Sequence, residues 1–244
     1  MAKRECENYL PPARIIEGLY FVGTYKASSH IFDTGAGLAL IDSGYERDIE
    51  RLLENIRAAG YNPADIKYIL LSHGHVDHAE ATAALLRECR AEVYLGEGDL
   101  FMVEDSFTPH HLLSGEVELT LGEISVKCVP TPGHTDGTYS FFFEMEDSGR
   151  RLRVGMHGGV GTNTLTDEYL EKNGLPRSNR QLMRDGLLRV RGERVDVFIG
   201  NHTWNNDTDL KIAAVLDGDR DAFVDPAAWI PFIDSRIRAV DKLG

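Results

Sequence analysis

From Ile15 onward the chain sets short apolar runs against glycine-marked turns: Leu19 to Val22, His30 to Phe32 and Gly37 to Asp42, punctuated by Gly23, Gly35 and Gly37. That spacing predicts a β-meander. The period then changes. Ile49, Leu52, Leu53, Ile56 and Ala59 recur as one face of a helix that stops at Gly60, and the apolar run Ile66 to Leu71 follows closely. Strand, helix, strand in this order predicts a parallel strand pair. An alanine-rich helix over Ala79 to Cys89, a short strand over Glu92 to Leu95 and a helical turn within Gly96 to Val103 come next. Residues 104–115, with Pro109, His110 and His111, read as a loop and a candidate flap over a site.

From Glu116 the strand pattern resumes, at Glu116 to Leu121, Ile124 to Pro130, Tyr139 to Met145 and Leu152 to Met156. A helical region over Asp167 to Arg191, broken near Gly174 and Pro176, precedes a buried strand over Val195 to Ile199. Helices over Asp207 to Leu216 and Ile230 to Val240 end the pattern. Residues 1–14, carrying Pro11 and Pro12, form an irregular lead-in, and residues 217–244 a C-terminal helical closure. With no linker or low-complexity segment, residues 1–244 are expected to form a single domain. Strands followed by helices, twice over, predict a mixed α/β fold of two sheets face to face with helices outside.

Composition narrows the function classes. At 244 residues and 42% hydrophobic content the chain can bury a full core. Its 26 basic against 39 acidic residues leave a net charge of −13, a field that repels a phosphate backbone, so nucleic acid is not an expected partner. Cys6, Cys89 and Cys128 lie far apart with no CxxC and suit a reducing compartment, Cys89 and Cys128 as small core fillers. The N-terminus has no apolar signal region and no run approaches a membrane span. A cytoplasmic protein that uses no membrane is expected, or a periplasmic or secreted one if a leader has been trimmed. The pattern assigns no oligomeric state.

The candidate chemistry is concentrated in one stretch, His73-Gly74-His75-Val76-Asp77-His78, directly after the Ile66 to Leu71 strand and directly before the alanine-rich helix. Ligands crowded at the C-terminal edge of a strand converge above the sheet, and imidazoles with a carboxylate suit zinc, manganese or iron(II). Ser72 and Thr135 lie in no GxSxG setting and read as turn residues supporting the site rather than as nucleophiles.

These six residues resemble the HxHxDH signature of the metallo-β-lactamase superfamily. Three further pieces occur in that family's order: Leu40-Ile41-Asp42-Ser43-Gly44, Pro132-Gly133-His134-Thr135-Asp136-Gly137 and Gly200-Asn201-His202. The resemblance spans roughly residues 15–210 and implies a four-layer αβ/βα sandwich. It implies two zinc ions per chain, one on His73, His75 and His134 and the other on Asp77, His78 and His202. Asp77 would also orient a water activated between the metals, and Asp42 would support the ligands from behind by accepting a ring N–H. The implied activity is hydrolysis of an amide or ester, β-lactam or lactone-like, in a small molecule.

Two departures matter. Most members, glyoxalase-type thioesterases and lactonases among them, carry a bridging aspartate after the strand that ends near Met156. Here that stretch runs Val154 to Thr162 without one. Its absence, the histidine-rich ligand set and the Gly18 to Thr24 opening resemble the third subclass of metallo-β-lactamases. There, serines help to hold the substrate carboxylate, and they align with Gly159 and Gly161. Gly159, Thr162 and Asn163 therefore stand as the candidate substrate contacts, and His157 as an extra ligand or acid/base group. The alternatives are an iron-dependent oxidoreductase on the same fold and a catalytically inert metal-binding protein.

Overall fold

The structure is a computed structural model, and it describes residues 9–243. The meander is present: β1 (Ala13–Ile16), β2 (Leu19–Phe21), β3 (His30–Asp33) and β4 (Leu38–Ile41) pair antiparallel in sequence. Helix α1 (Ile49–Ala58) then crosses to β5 (Ile66–Leu70), which lies parallel to β4 as expected. Strands β6 (Glu92–Gly96) and β7 (His111–Leu113) complete a seven-stranded sheet in the order β1-β2-β3-β4-β5-β6-β7. The second sheet has five strands, ordered β12-β11-β10-β9-β8, from β8 (Val117–Leu121), β9 (Ile124–Pro130), β10 (Tyr139–Asp147), β11 (Arg150–Met156) and β12 (Val197–Phe198).

Alternation along the strands sorts the core into layers. Phe21, Phe32, Ile41 and Leu70 from the first sheet meet Phe141, Phe143, Val154 and Met156 from the second. Phe32 stacks on Phe143 with ring centroids 4.6 Å apart. The opposite face of the first sheet buries Ile31, Leu40 and Ile69 against Leu52 and Ile56 of α1. The outer face of the second sheet buries Phe142 and Phe198 beneath α6 (Ser178–Arg191) and α8 (Trp229–Asp241), with Trp229 edge-on to both rings. Helix, sheet, sheet, helix is the expected αβ/βα sandwich. Among the described residues no helix is long and apolar enough to cross a membrane.

Several expectations change. The irregular lead-in ends earlier, because Ala13–Ile16 already pairs with β2. Residues 1–8, with Cys6, lie outside the described residues, whereas Cys89 and Cys128 are buried. The helix expected over Ala79 to Cys89 is instead two single turns, α2 (Val76–Ala79) and α3 (Thr82–Leu85). The His78 carbonyl accepts from Ser43 and Gly44 N–H, and Ala81 N–H donates to the Gly44 carbonyl, so long-range bonds replace the helical ladder there. The expected flap at 104–115 ends in β7, which adds a parallel edge strand beside β6. His111 stacks on Tyr94 and reaches Glu92, while His110 Nδ1 accepts from Val93 N–H.

Candidate metal centre

The ligand-bearing stretch follows β5, where Ser72 to His78 runs from the sheet edge into α2. His134 lies in the turn between β9 and β10, and His202 follows β12. The strand ends thus bring together residues from both halves of the chain. One ligand atom from each of His73, His75 and His134 lies within 4.8 Å of the others, and so do those of His73, Asp77 and His78. Asp77 Oδ2 is 3.5 Å from His78 Nε2 and 3.8 Å from His202 Nε2.

Hydrogen bonds set each ring's tautomer. Asp42, fully buried at the end of β4, takes Ser72 N–H on Oδ1 at 2.7 Å, and Ser72 Oγ–H and His78 Nδ1–H on Oδ2 at 2.7 and 2.8 Å. With its proton committed to Asp42, Ser72 Oγ accepts from His73 Nδ1–H at 3.1 Å. His134 Nδ1–H donates to the Gly161 carbonyl at 2.9 Å, and His202 Nδ1–H to the Lys26 carbonyl at 2.7 Å. The Nε2 atoms of His73 and His78 are buried and, among the described residues, have no hydrogen-bond partner. His75 Nδ1 lies 3.1 Å from His134 Nε2. Such a convergence of lone pairs and a carboxylate fits a cation.

The electrostatics favour the ligand forms of His73, His134 and Asp77, and the protonated ring at His78. Burial, followed by repulsion from His75, holds His134 down to about 3, and burial with the neighbouring rings lowers His73 strongly. Burial opposes charge on His78, but Asp42 and then Asp77 more than offset it and raise that ring to about 9. Burial also pushes Asp77 upward, yet His78 and His202 outweigh it and hold the carboxyl below its usual range. Asp42 has φ 58°, a left-handed backbone that a non-glycine residue rarely adopts, so the fold holds it there at some cost in strain.

Asp99 was not anticipated. Fully buried after β6, it accepts from Gly74 N–H, Gly137 N–H and Thr135 Oγ–H, each at 2.7 Å. It therefore ties the His73–His78 loop to the His134 loop. A Cβ on Gly137 would fall 2.6 Å from Asp99, so that approach needs glycine. Nothing in the sequence separates Asp99 from other acidic turn residues; its role exists only once the two loops meet.

The ligand atoms face a cavity of about 820 Å³ lined by His75, Asp77, His134 and His202 together with Tyr25, Lys26, Phe101, Met102, Asn163, Trp204 and Arg236. Asn163, expected as a substrate contact, lines it, whereas Thr162, Gly159 and His157 do not. His157, expected as an extra ligand or acid/base group, is 2% exposed, burial holds it down to about 3, and its Nδ1 accepts from Gly159 N–H. A Cβ on Gly159 would stand 2.7 Å from the His134 ring. Residues 104–115 supply no part of the wall; Phe101, Met102, Trp204 and Arg236 do, none of which the sequence marked.

Comparison with known proteins places this geometry. The model of the metallo-beta-lactamase superfamily matches residues 22–149. A hydroxyacylglutathione hydrolase of Anaeromyxobacter dehalogenans is 34% identical over 110 residues, which is 45% of this chain and 39% of the relative. An N-acyl homoserine lactonase of a Bacillus species is 31% identical over 107 residues, 41% of this chain and 42% of the relative. The chain thus matches about two fifths of each relative's length. A subclass B3 metallo-beta-lactamase of Bradyrhizobium japonicum superposes with a TM-score of 0.87 at 23% identity, covering 99% of this chain and 96% of that one. With more than half its length matched by the family model and its histidines gathered at the strand ends of a four-layer sandwich, the chain belongs to the metallo-beta-lactamase superfamily.

Proposed function

We propose that the protein is a dinuclear zinc hydrolase that opens an amide or ester bond, of β-lactam or lactone type, in a small molecule. The observation that carries this reading is the set of imidazoles oriented by hydrogen bonds at Nδ1, with the Nε2 atoms of His73 and His78 buried and unpartnered among the described residues, gathered with Asp77 beside an open cavity. His73, His75 and His134 would hold one ion and Asp77, His78 and His202 the second, three protein ligands each, the pattern of catalytic sites. Zinc bound there supplies Lewis acidity and makes water acidic near neutral pH. The chain does the rest. Asp77, ionised and 22% exposed, orients the attacking water by accepting its hydrogen bond. Asp42 and the Lys26 and Gly161 carbonyls hold the imidazoles in one orientation, so no reorganisation accompanies turnover. The aromatic and thioether side chains around the cavity hold the organic part of the substrate and exclude water from it.

The test combines elemental analysis of the zinc-replete protein with a chromogenic panel of lactones, thioesters and β-lactams. Two zinc ions per chain and hydrolysis abolished by chelation are expected, and His202→Ala should cost one ion far more than the other. One ion or fewer in the wild type, predominant iron, or no hydrolysis across the panel would refute the proposal.

A further inference from the structure

His202 reaches the centre from the turn behind β12, a strand of two residues, and its side chain is 18% exposed where that of His78 is fully buried. The turn itself is well held. His202 Nδ1–H and Thr203 Oγ–H donate to the Lys26 and Tyr25 carbonyls, each at 2.7 Å, and Ser28 N–H donates to the Asn201 carbonyl at 3.2 Å. Asn205 Nδ2–H donates to Asn201 Oδ1 at 2.6 Å, and Asn201 Nδ2–H to the Gly158 carbonyl at 2.7 Å. These bonds fix the backbone and one edge of the imidazole. They leave its plane free to tilt, because the terminal torsion of a histidine has a broad minimum and one hydrogen bond restrains the ring along a single direction.

Trp204 supplies the missing restraint. Its indole lies 9° from parallel to the His202 ring with centroids 4.3 Å apart, and the His78 ring meets His202 at 72° and 5.0 Å. The indole is also 56% exposed, so little of the core rests on it. An indole face is electron-rich, and an imidazole that donates its Nε2 lone pair to a cation becomes electron-poor, so the stack strengthens when the ring serves as a ligand. A leucine of similar apolar bulk offers neither the flat face nor the charge distribution.

We propose that Trp204 is a positioning residue for the second ion: stacked on His202, it holds that imidazole in the orientation of a ligand, and it does so through its ring face rather than by filling space. This rests on the dinuclear reading above and deepens it. The test compares the wild type with Trp204→Phe, which keeps a ring, Trp204→Leu, which keeps apolar bulk, and Trp204→Ala. Stepwise zinc affinities are measured by chelator competition. The ion sensitive to His202→Ala should bind roughly 2–10-fold more weakly in Trp204→Ala and Trp204→Leu, with the other ion unchanged and Trp204→Phe close to wild type. Wild-type affinity for both ions in Trp204→Ala, or an equal loss in all three variants, overturns the proposal. If the wild type takes up one zinc ion or none, the dinuclear reading fails by itself, and NMR of the zinc-free protein decides. The His202 Nδ1–H signal, assigned by its absence in His202→Ala, should then exchange with water roughly 2–10-fold faster in Trp204→Ala and Trp204→Leu than in the wild type and Trp204→Phe. One rate in all four proteins, or in all three variants, overturns the proposal.

Discussion

Two residues show how much of this site is decided at the atomic scale. Asp42 accepts three hydrogen bonds from groups that lead to ligands on both proposed ions. Asparagine tolerates the same left-handed backbone but replaces one acceptor oxygen with a donor, so Asp42→Asn isolates the acceptor role. Metal affinity should fall by roughly 10–100-fold with the fold retained, as read by chelator competition and far-UV circular dichroism. Affinity equal to wild type would show that other groups set the His73 and His78 tautomers. Gly159 makes the opposite point. A serine there aligns with a substrate-gripping hydroxyl in sequence, but its Cβ would press on the His134 ring. Gly159→Ser is therefore expected to weaken metal binding and raise no substrate affinity. Tighter substrate binding at full metal content would reverse that expectation.

Among the elements, the consequential ones are short. Helices α2 and α3 are single turns because the backbone at His78 and Ala81 bonds to Ser43 and Gly44, which locks the ligand stretch onto the segment after β4. Asp99 does the same job by side chain between the His73–His78 loop and the His134 loop. Removing a buried carboxylate leaves its donors without partners, so Asp99→Ala should destabilise the protein by about 3 kcal/mol or more. The loss should appear in urea denaturation, together with weaker binding of the ion proposed for His73, His75 and His134. A variant within about 0.5 kcal/mol of wild type would place the tie between the loops elsewhere.

Over the whole molecule, buried imidazole governs the response to acid. His30, 1% exposed on β3 beside Phe21, has neither ring nitrogen hydrogen-bonded among the described residues, and burial holds it down from 6.5 to about 3. The unfolded ring gains a proton near 6.5, whereas the folded one stays neutral until about 3. Stability is therefore intact above 6.5 and declines as pH falls through that window, by about 2 kcal/mol at pH 5 for this residue alone. His30→Phe should shrink the loss of stability between pH 7.5 and 5 by about that amount in paired denaturation experiments. Equal losses in both proteins would mean that His30 is protonated in the fold.

The sequence by itself determined most of the elements, a mixed α/β pattern and the ligand-type side chains, because periodicity records which face is buried and because His73 to His78 are neighbours along the chain; the four-layer order came from the resemblance. His134 and His202 were legible only through the resemblance, since their spacing to the others carries no geometry of its own. Tertiary structure alone decided the rest. It split the Ala79–Cys89 helix, turned the expected flap into an edge strand, put Asp99 between two loops and withdrew His157 and Gly159 from the cavity. It also brought Phe101, Trp204 and Arg236 to one wall. The physical reason is common to all of these: each depends on contacts between segments distant in the chain, and a local pattern of apolar and polar residues records only that a face is buried, not what it is buried against.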